Sequence, residues 1–214
     1  GIVPNNKYNR YNFTFRNTTN FLQDRMVLDA GGSYVKQNDL NMVNQGTYSN
    51  PLVEAYLFPR GDDWNAIKMY ERYDTQRKLY TQYWPQGLNE FTGQNPYWIN
   101  YRNLRSNIKD RYMLNVGLTY KLTDWMNIAA RIRVDNAENK YERKLYASSN
   151  TTLTEGSNTG FYEIVKTLDK QTYGDVMLNI NKTFAEKLSL QANVGASLSD
   201  IQQDLFSNRG PLRN

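Results

Sequence analysis

The chain has 214 residues with 26 basic and 21 acidic side chains, a net charge of +5 and a mean hydropathy of −0.77. It contains no Cys and no His, which excludes a disulfide framework and thiolate chemistry and removes the commonest general base and transition-metal ligand. No run of about 18 apolar residues occurs, which excludes a transmembrane helix but leaves open a transmembrane strand, for which about 9–11 alternating residues suffice. The positive charge is spread along the chain, without the clustered patch that a nucleic acid selects.

Alternation of apolar and polar residues predicts six strands, approximately 8–21, 26–37, 110–122, 126–138, 171–184 and 188–200. In the first, Tyr11, Phe13 and Phe15 face one way against Arg10, Asn12, Thr14 and Arg16. In the second, Met26, Leu28, Ala30, Gly32 and Tyr34 stand against Asp29, Gly31 and Ser33. The third sets Tyr112, Leu114, Val116, Leu118, Tyr120 and Leu122 against Arg111, Asn115, Gly117, Thr119 and Lys121, and the fourth resumes with Met126, Ile128, Ala130, Ile132 and Val134 against Asn127, Arg131, Arg133 and Asp135. The fifth carries Val176, Leu178 and Ile180 against Asp175, Asn179 and Asn181. In the sixth the row Leu188, Leu190, Ala192, Val194, Ala196, Leu198 has no polar interruption.

The connections alternate in length. Three tight turns resemble one another: Leu22 to Leu28, Leu122 to Ile128 and Phe184 to Leu190 each read apolar, any residue, acid, any residue, apolar, any residue, apolar. The acids Asp24, Asp124 and Glu186 are expected to help satisfy the turn backbone. The other two connections, approximately 38–109 and 139–170, are long, and the first holds Trp64, Trp84 and Trp98. Loops of this length are functional or disordered as a rule, and aromatic richness argues against disorder.

A soluble sandwich or barrel turns such an apolar face inward; a transmembrane barrel turns it outward to lipid and keeps the polar face on a wet lumen. Three features favour lipid. Ala130, Ala192, Ala196 and Gly32 fill a core poorly but cost little against fluid hydrocarbon. Tyr112 and Tyr120, eight residues apart, are separated by about 20 Å along the membrane normal at a strand tilt near 40°, and Trp125 lies just beyond, so aromatics bracket the band. The short-turn, long-loop asymmetry matches periplasmic turns and extracellular loops. The expected fold is therefore all-β: an antiparallel transmembrane barrel segment, residues 1–214, of about six strands in three hairpins. Six strands are too few to close a barrel, so the segment is expected to be an arc of a larger wall, or to be joined by strands of other chains. No signal peptide, plug domain or initiator Met is found in the sequence.

The segments GIVPNNKYNRYNF, NMVNQGTYSNPLVEAYLFPRGDDWN, QNPYWINYRNLRSN and NKYERKLYASSNTTLTEGSNTGFY resemble SusC/RagA-type TonB-dependent outer-membrane transporters of Bacteroidota. The resemblance runs over nearly the whole chain and covers the middle of the barrel only. It implies a 22-stranded barrel in the bacterial outer membrane, filled by a plug and capped by a SusD-like lipoprotein. It implies import of oligosaccharides, or of peptides, with energy from TonB acting through parts that this chain lacks. The alternatives are a soluble β-sandwich carbohydrate-binding module and a barrel adhesin.

Within this frame the candidate ligand-binding residues are Arg60, Asp62, Asp63 and Trp64 in FPRGDDW, with Trp84 and Trp98. Indole faces stack on sugar rings, while carboxylates and Arg bond hydroxyls. The competing reading is that these residues pack the loop on itself or on the lipoprotein. Asp62 and Asp63 are also candidate Ca²⁺ ligands, the only metal the sequence suggests. Arg111, Lys121, Arg131, Arg133 and Asp135 are expected to face the lumen as solvated wall charge. No set of residues suggests catalysis, and the chain is not expected to be an enzyme.

Overall fold

The computed structural model describes residues 3–87, 93–184 and 188–213. Strands take 63% of the chain and helices 9%, so the class is all-β and the pairing is antiparallel throughout. Strands β1 (Lys7–Phe21) and β2 (Met26–Leu40) form the first hairpin. A folded insertion follows: helix α1 (Pro51–Leu57), a 3-10 turn (Trp64–Lys68), a small hairpin of β3 (Glu71–Asp74) and β4 (Leu79–Gln82), and helix α2 (Pro96–Arg102). Strands β5 (Asn103–Thr123), β6 (Met126–Leu145), β7 (Phe161–Phe184) and β8 (Leu188–Pro211) complete the chain. The large sheet has six strands in the order β1-β2-β5-β6-β7-β8, a meander in which every strand lies beside its neighbour in sequence. It does not close on itself: β1 and β8 are both edges.

Register carries the predicted parity across the sheet. Leu28, Leu118, Ala130, Val176 and Ala196 are successive Cα partners, and so are Met26, Tyr120, Ile128, Leu178 and Val194. One face of the sheet is thus a continuous apolar band. No second layer covers it among the described residues: Phe13 is 66% exposed, Val194 67% and Leu198 77%, while Met26, Leu28 and Ala30 are half-buried among their neighbours. Among the described residues the buried apolar side chains are Ile67, Trp84, Trp98, Ile99, Leu145 and Phe161, which belong to the insertion and to the strand ends beneath it. The core therefore sits at one end of the molecule, and the sheet proper has none. Gly32 leaves no gap in the band, because the Phe15 ring lies across it; a Cβ there would stand 2.6 Å from Phe15 Cε1 and 3.0 Å from Leu114 Cδ2.

The strands run further than alternation indicated, and the long loops shrink to residues 41–102 and 146–160. Above the band both faces are polar, as in NKYERKL (139–145), so parity carries no signal there, yet the ladder continues from Asn139↔Thr167 to Leu145↔Phe161. The turns also differ from expectation. The first is a four-residue connection in which Leu22, Gln23 and Asp24 all have positive φ, 53°, 56° and 64°. The second is two residues with a register shift between Lys121 and Thr123. Among the described residues neither the Asp24 nor the Asp124 carboxylate accepts a hydrogen bond; Asp24 serves by tolerating the left-handed conformation. Glu186 of the third turn lies outside the described residues.

Gly32→Val forces Phe15 off its seat, and we expect a loss of about 1–3 kcal/mol in denaturant unfolding. Phe15→Leu together with Gly32→Val is expected to recover part of it.

Candidate functional site

Two regions gather the polar chemistry: the second face of the sheet and the insertion at its end. On the polar face, facing parity puts Arg16, Arg111, Arg131, Arg133 and Arg143 on the same side as Asp29, Asp135, Glu163 and Asp175. Register then pairs them. Arg131 and Asp175 are direct Cα partners with Nε 3.0 Å from Oδ1, and Asp175 is buried at 7% exposure. Arg111 grips Asp135 through Nε and a second nitrogen at 2.8 and 2.5 Å. Arg16 holds Asp29 in the same two-point way, at 3.2 and 2.5 Å, and Arg143 lies 2.8 Å from Glu163. The planar guanidinium fork suits such carboxylate pairing, whereas cations of the opposite face are lysines, among them Lys36, Lys140, Lys166, Lys170 and Lys182.

All five predicted wall residues thus share the polar face, but they differ in state. Arg111, Asp135 and Arg131 are locked in pairs, while Arg133, opposite Tyr173, and Lys121, opposite Asn127, make no ion pair among the described residues. A groove of about 700 Å³ runs over this face, lined among others by Arg16, Asp29, Arg131, Arg133, Tyr173 and Asp175. Asp29, Glu163 and Asp175 were not selected from the sequence as wall residues, because the partner on a neighbouring strand becomes visible only once register is known.

The insertion is a small folded body held by amides. Both helices open on Asn-Pro: Asn50 and Asn95 accept from the backbone N–H groups of Leu52 and Tyr97 at 3.0 and 2.9 Å, and proline occupies the first helical turn. Asn95, fully buried, also donates through Nδ2 to the carbonyls of Ile67 (2.8 Å) and Tyr83 (3.1 Å), tying together the 3-10 turn and the hairpin. Gln94, equally buried, donates to the Tyr48 carbonyl at 2.6 Å and accepts from the Asn150 N–H at 2.8 Å, which fastens the insertion to the 146–160 connection. Arg102 makes a two-point pair with Glu71, at 2.6 and 2.9 Å, and this contact holds the guanidinium pKa above its usual value.

The six residues picked as ligand candidates are distributed as follows. Trp98 is wholly buried; its Nε1 donates to Ser149 Oγ at 3.0 Å and its ring meets Tyr146 edge-on at 6.4 Å. Trp84, 3% exposed, packs on Phe58 at 6.3 Å, and Phe58 in turn meets Trp64 edge-on at 5.1 Å. Trp64 remains 36% exposed, with Tyr97 at 6.4 Å on its other side. Asp63 caps the 3-10 turn by accepting from the Asn65 N–H at 2.8 Å, and Asp62 accepts from Gln86 Nε2 at 3.2 Å. Arg60 is exposed and unpaired among the described residues. Trp84 and Trp98 therefore occupy core positions. Arg60, Asp62 and Trp64 keep surface for a ligand. Among the described residues no three acidic side chains come together as a metal site, so Asp62 and Asp63 lack a third carboxylate. Gln94 and Asn95 were missed as organising residues; their signal was the Asn-Pro dipeptide in QNPYW.

No protein-family model matches the chain, and no curated protein matches it. The likeness to SusC/RagA transporters rests on the quoted segments alone.

Two outcomes follow for the insertion. Asn95→Ala leaves buried backbone groups without partners, and a loss of about 2–4 kcal/mol in its unfolding is expected. Glu54, buried on α1 and accepting from the Gly93 N–H, has its pKa raised by burial. A raised folded-state pKa means that the folded form binds the proton more tightly, so stability falls as pH rises from the ordinary glutamate range to the raised value. Glu54→Gln should abolish that slope in pH-dependent thermal unfolding.

Proposed function

We propose that this chain is a wall segment of an outer-membrane β-barrel transporter of the SusC/RagA type, importing oligosaccharides, or peptides, with a SusD-like surface lipoprotein. The observation that carries the reading is the apolar band: it spans the sheet, has no second layer over it among the described residues and is backed by a face of paired charges. In water such a surface far exceeds the apolar patches that soluble monomers tolerate. In lipid it is the required outer surface.

The edges of the band support the same reading. On the loop side it ends at a row of aromatics, Phe13, Tyr34 and Tyr112, and immediately beyond come Lys36 and Asp110, 3.7 Å apart. The Tyr34 hydroxyl donates to Asp110 at 2.6 Å, so the ring lies toward the band and its polar tip toward the charges. On the turn side Lys182 Nζ stands 4.4 Å from the Trp125 ring centroid, an ammonium that reaches past an interfacial indole. The insertion and the 146–160 connection both sit at the loop end with Trp64, Arg60, Tyr56 and Tyr73 exposed, which supports the reading that this end meets an extracellular ligand or lid.

A soluble β-sandwich carbohydrate-binding module is less well supported. It needs a second sheet over the apolar face, and the other sheet among the described residues is the two-stranded β3–β4 hairpin of the insertion.

Cell fractionation tests the reading: the protein should stay with outer membranes through high-salt and carbonate washes and enter solution only with detergent. Release without detergent would overturn it. In the same preparation, Leu118→Arg at mid-band should cost about 2–4 kcal/mol, whereas Thr119→Arg on the wet face should cost under about 1 kcal/mol. Loss of uptake of at least one oligosaccharide or peptide on deletion tests transport itself.

A further inference from the structure

Four arginines of the polar face are neutralised by acids; among the described residues Arg133 and Arg105 are not, and of these two Arg133 is exposed while Arg105 is half-buried. It lies directly opposite Arg143 in the β5–β6 ladder, a like-charge pairing, and Arg143 is already committed to Glu163 at 2.8 Å. Among the described residues Arg105 makes no ion pair, and its Nε is buried without a hydrogen-bond partner. One terminal nitrogen donates to the Ser49 carbonyl at 3.0 Å. The residue is also fixed in place: its backbone N–H donates to Asn41 Oδ1 at 2.8 Å and its carbonyl accepts from the Asn41 N–H at 2.7 Å. Arg60 and Arg133 are unpaired too among the described residues, but they are exposed; a half-buried, pre-positioned guanidinium whose Nε has no hydrogen-bond partner is the costlier arrangement.

Arg105 lines a cavity of about 180 Å³ with Tyr141, Asp39, Asn44, Met42 and Val43. The cavity lies where the polar face meets the insertion. Its volume is well below the roughly 300–1,000 Å³ of pockets for drug-sized ligands and suits a single ring. The lining is mixed. Met42 and Val43 present exposed apolar surface, at 47% and 43%. The Asp39 carboxylate is steadied by Gln37 and Asn107, each at 3.3 Å, and its remaining lone pairs are suited to hydroxyl donors. A single positive charge, hydroxyl acceptors and an apolar wall together describe a polyhydroxylated ring bearing one carboxylate.

We propose that this cavity is a subsite for one sugar-acid unit: the uronate carboxylate on the Arg105 guanidinium, ring hydroxyls on Asp39 and Asn44, and the ring's C–H surface on Met42 and Val43. The inference rests on the import reading and narrows its substrate to an acidic oligosaccharide.

The test uses the full-length membrane protein purified in detergent, with two probes of equal size: tri-galacturonate and its neutral methyl ester. The wild type should bind the acid at least tenfold more tightly than the ester. Arg105→Gln should weaken acid binding at least tenfold more than ester binding. Because Arg105 also holds the Ser49 carbonyl, Asp39→Asn supplies a second reading that leaves that bond intact: the lost hydroxyl acceptor acts on both probes, while removal of the nearby negative charge favours the acid alone, so the preference for acid over ester should rise about threefold or more. If Arg105→Gln fails to fold, the Asp39→Asn result decides. Equal binding of acid and ester by the wild type, equal loss of both in Arg105→Gln, or no rise in the acid-over-ester preference in Asp39→Asn would each overturn the subsite while import stands. Failure of the wild type to bind any oligosaccharide, acidic or neutral, alongside unchanged peptide uptake, would overturn both.

Discussion

The strict alternation of side chains along a β-strand is the constraint on which this structure depends. Each strand offers two faces, and antiparallel register passes the choice of face from one strand to the next without error. A slip of one residue at Tyr112↔Tyr34 or Val116↔Ile132 would put arginines into the apolar band and leucines among the ion pairs. The paired charges reinforce the register from the other side. Arg131–Asp175 forms only when those two residues are direct partners, and the same holds for Arg143–Glu163. Band and charges therefore lock one alignment together, although each alone would tolerate others.

The same constraint explains why the molecule carries its core in the insertion. A one-layer sheet cannot bury its apolar face against itself, and a second layer is absent from the described residues. The buried tryptophans serve a different purpose, which is to hold some sixty residues of connection as one body over the strand ends. The buried amides Gln94 and Asn95 do this work without charge, at positions where unpaired backbone would otherwise be enclosed. At the two edges of the sheet the backbone groups of β1 and β8 are unpaired on one side. In hydrocarbon each such group costs several kcal/mol, so a lipid setting for the band requires further strands at both edges.

Sequence revealed the band and its limits clearly, because hydrophobic period two is a local signal. Tyr112 to Leu122 could be assigned to faces residue by residue. The strand ends were hidden where both faces turn polar, and the partners of the arginines were hidden by distance: Asp175 lies 44 residues from Arg131 and Asp135 lies 24 from Arg111. In the insertion, indole side chains read equally well as binding groups or as core, and only burial separates Trp64 from Trp84 and Trp98. Arg105 escaped attention for a related reason. A basic residue in RNLRSN looks like solvated charge until its neighbours show that no acid reaches it.

The central claim is that the even and odd positions of β5 meet different solvents, and a nitroxide scan measures this directly. Single spin labels placed in turn at residues 112 to 122, in the full-length protein in lipid vesicles, report collision rates with oxygen and with a water-soluble nickel chelate. The account predicts high oxygen and low nickel accessibility at 112, 114, 116, 118 and 120, with the reverse or mutual protection at 113, 115, 117, 119 and 121. Nickel accessibility that is equal on both faces, or even positions shielded from both reagents, would contradict it.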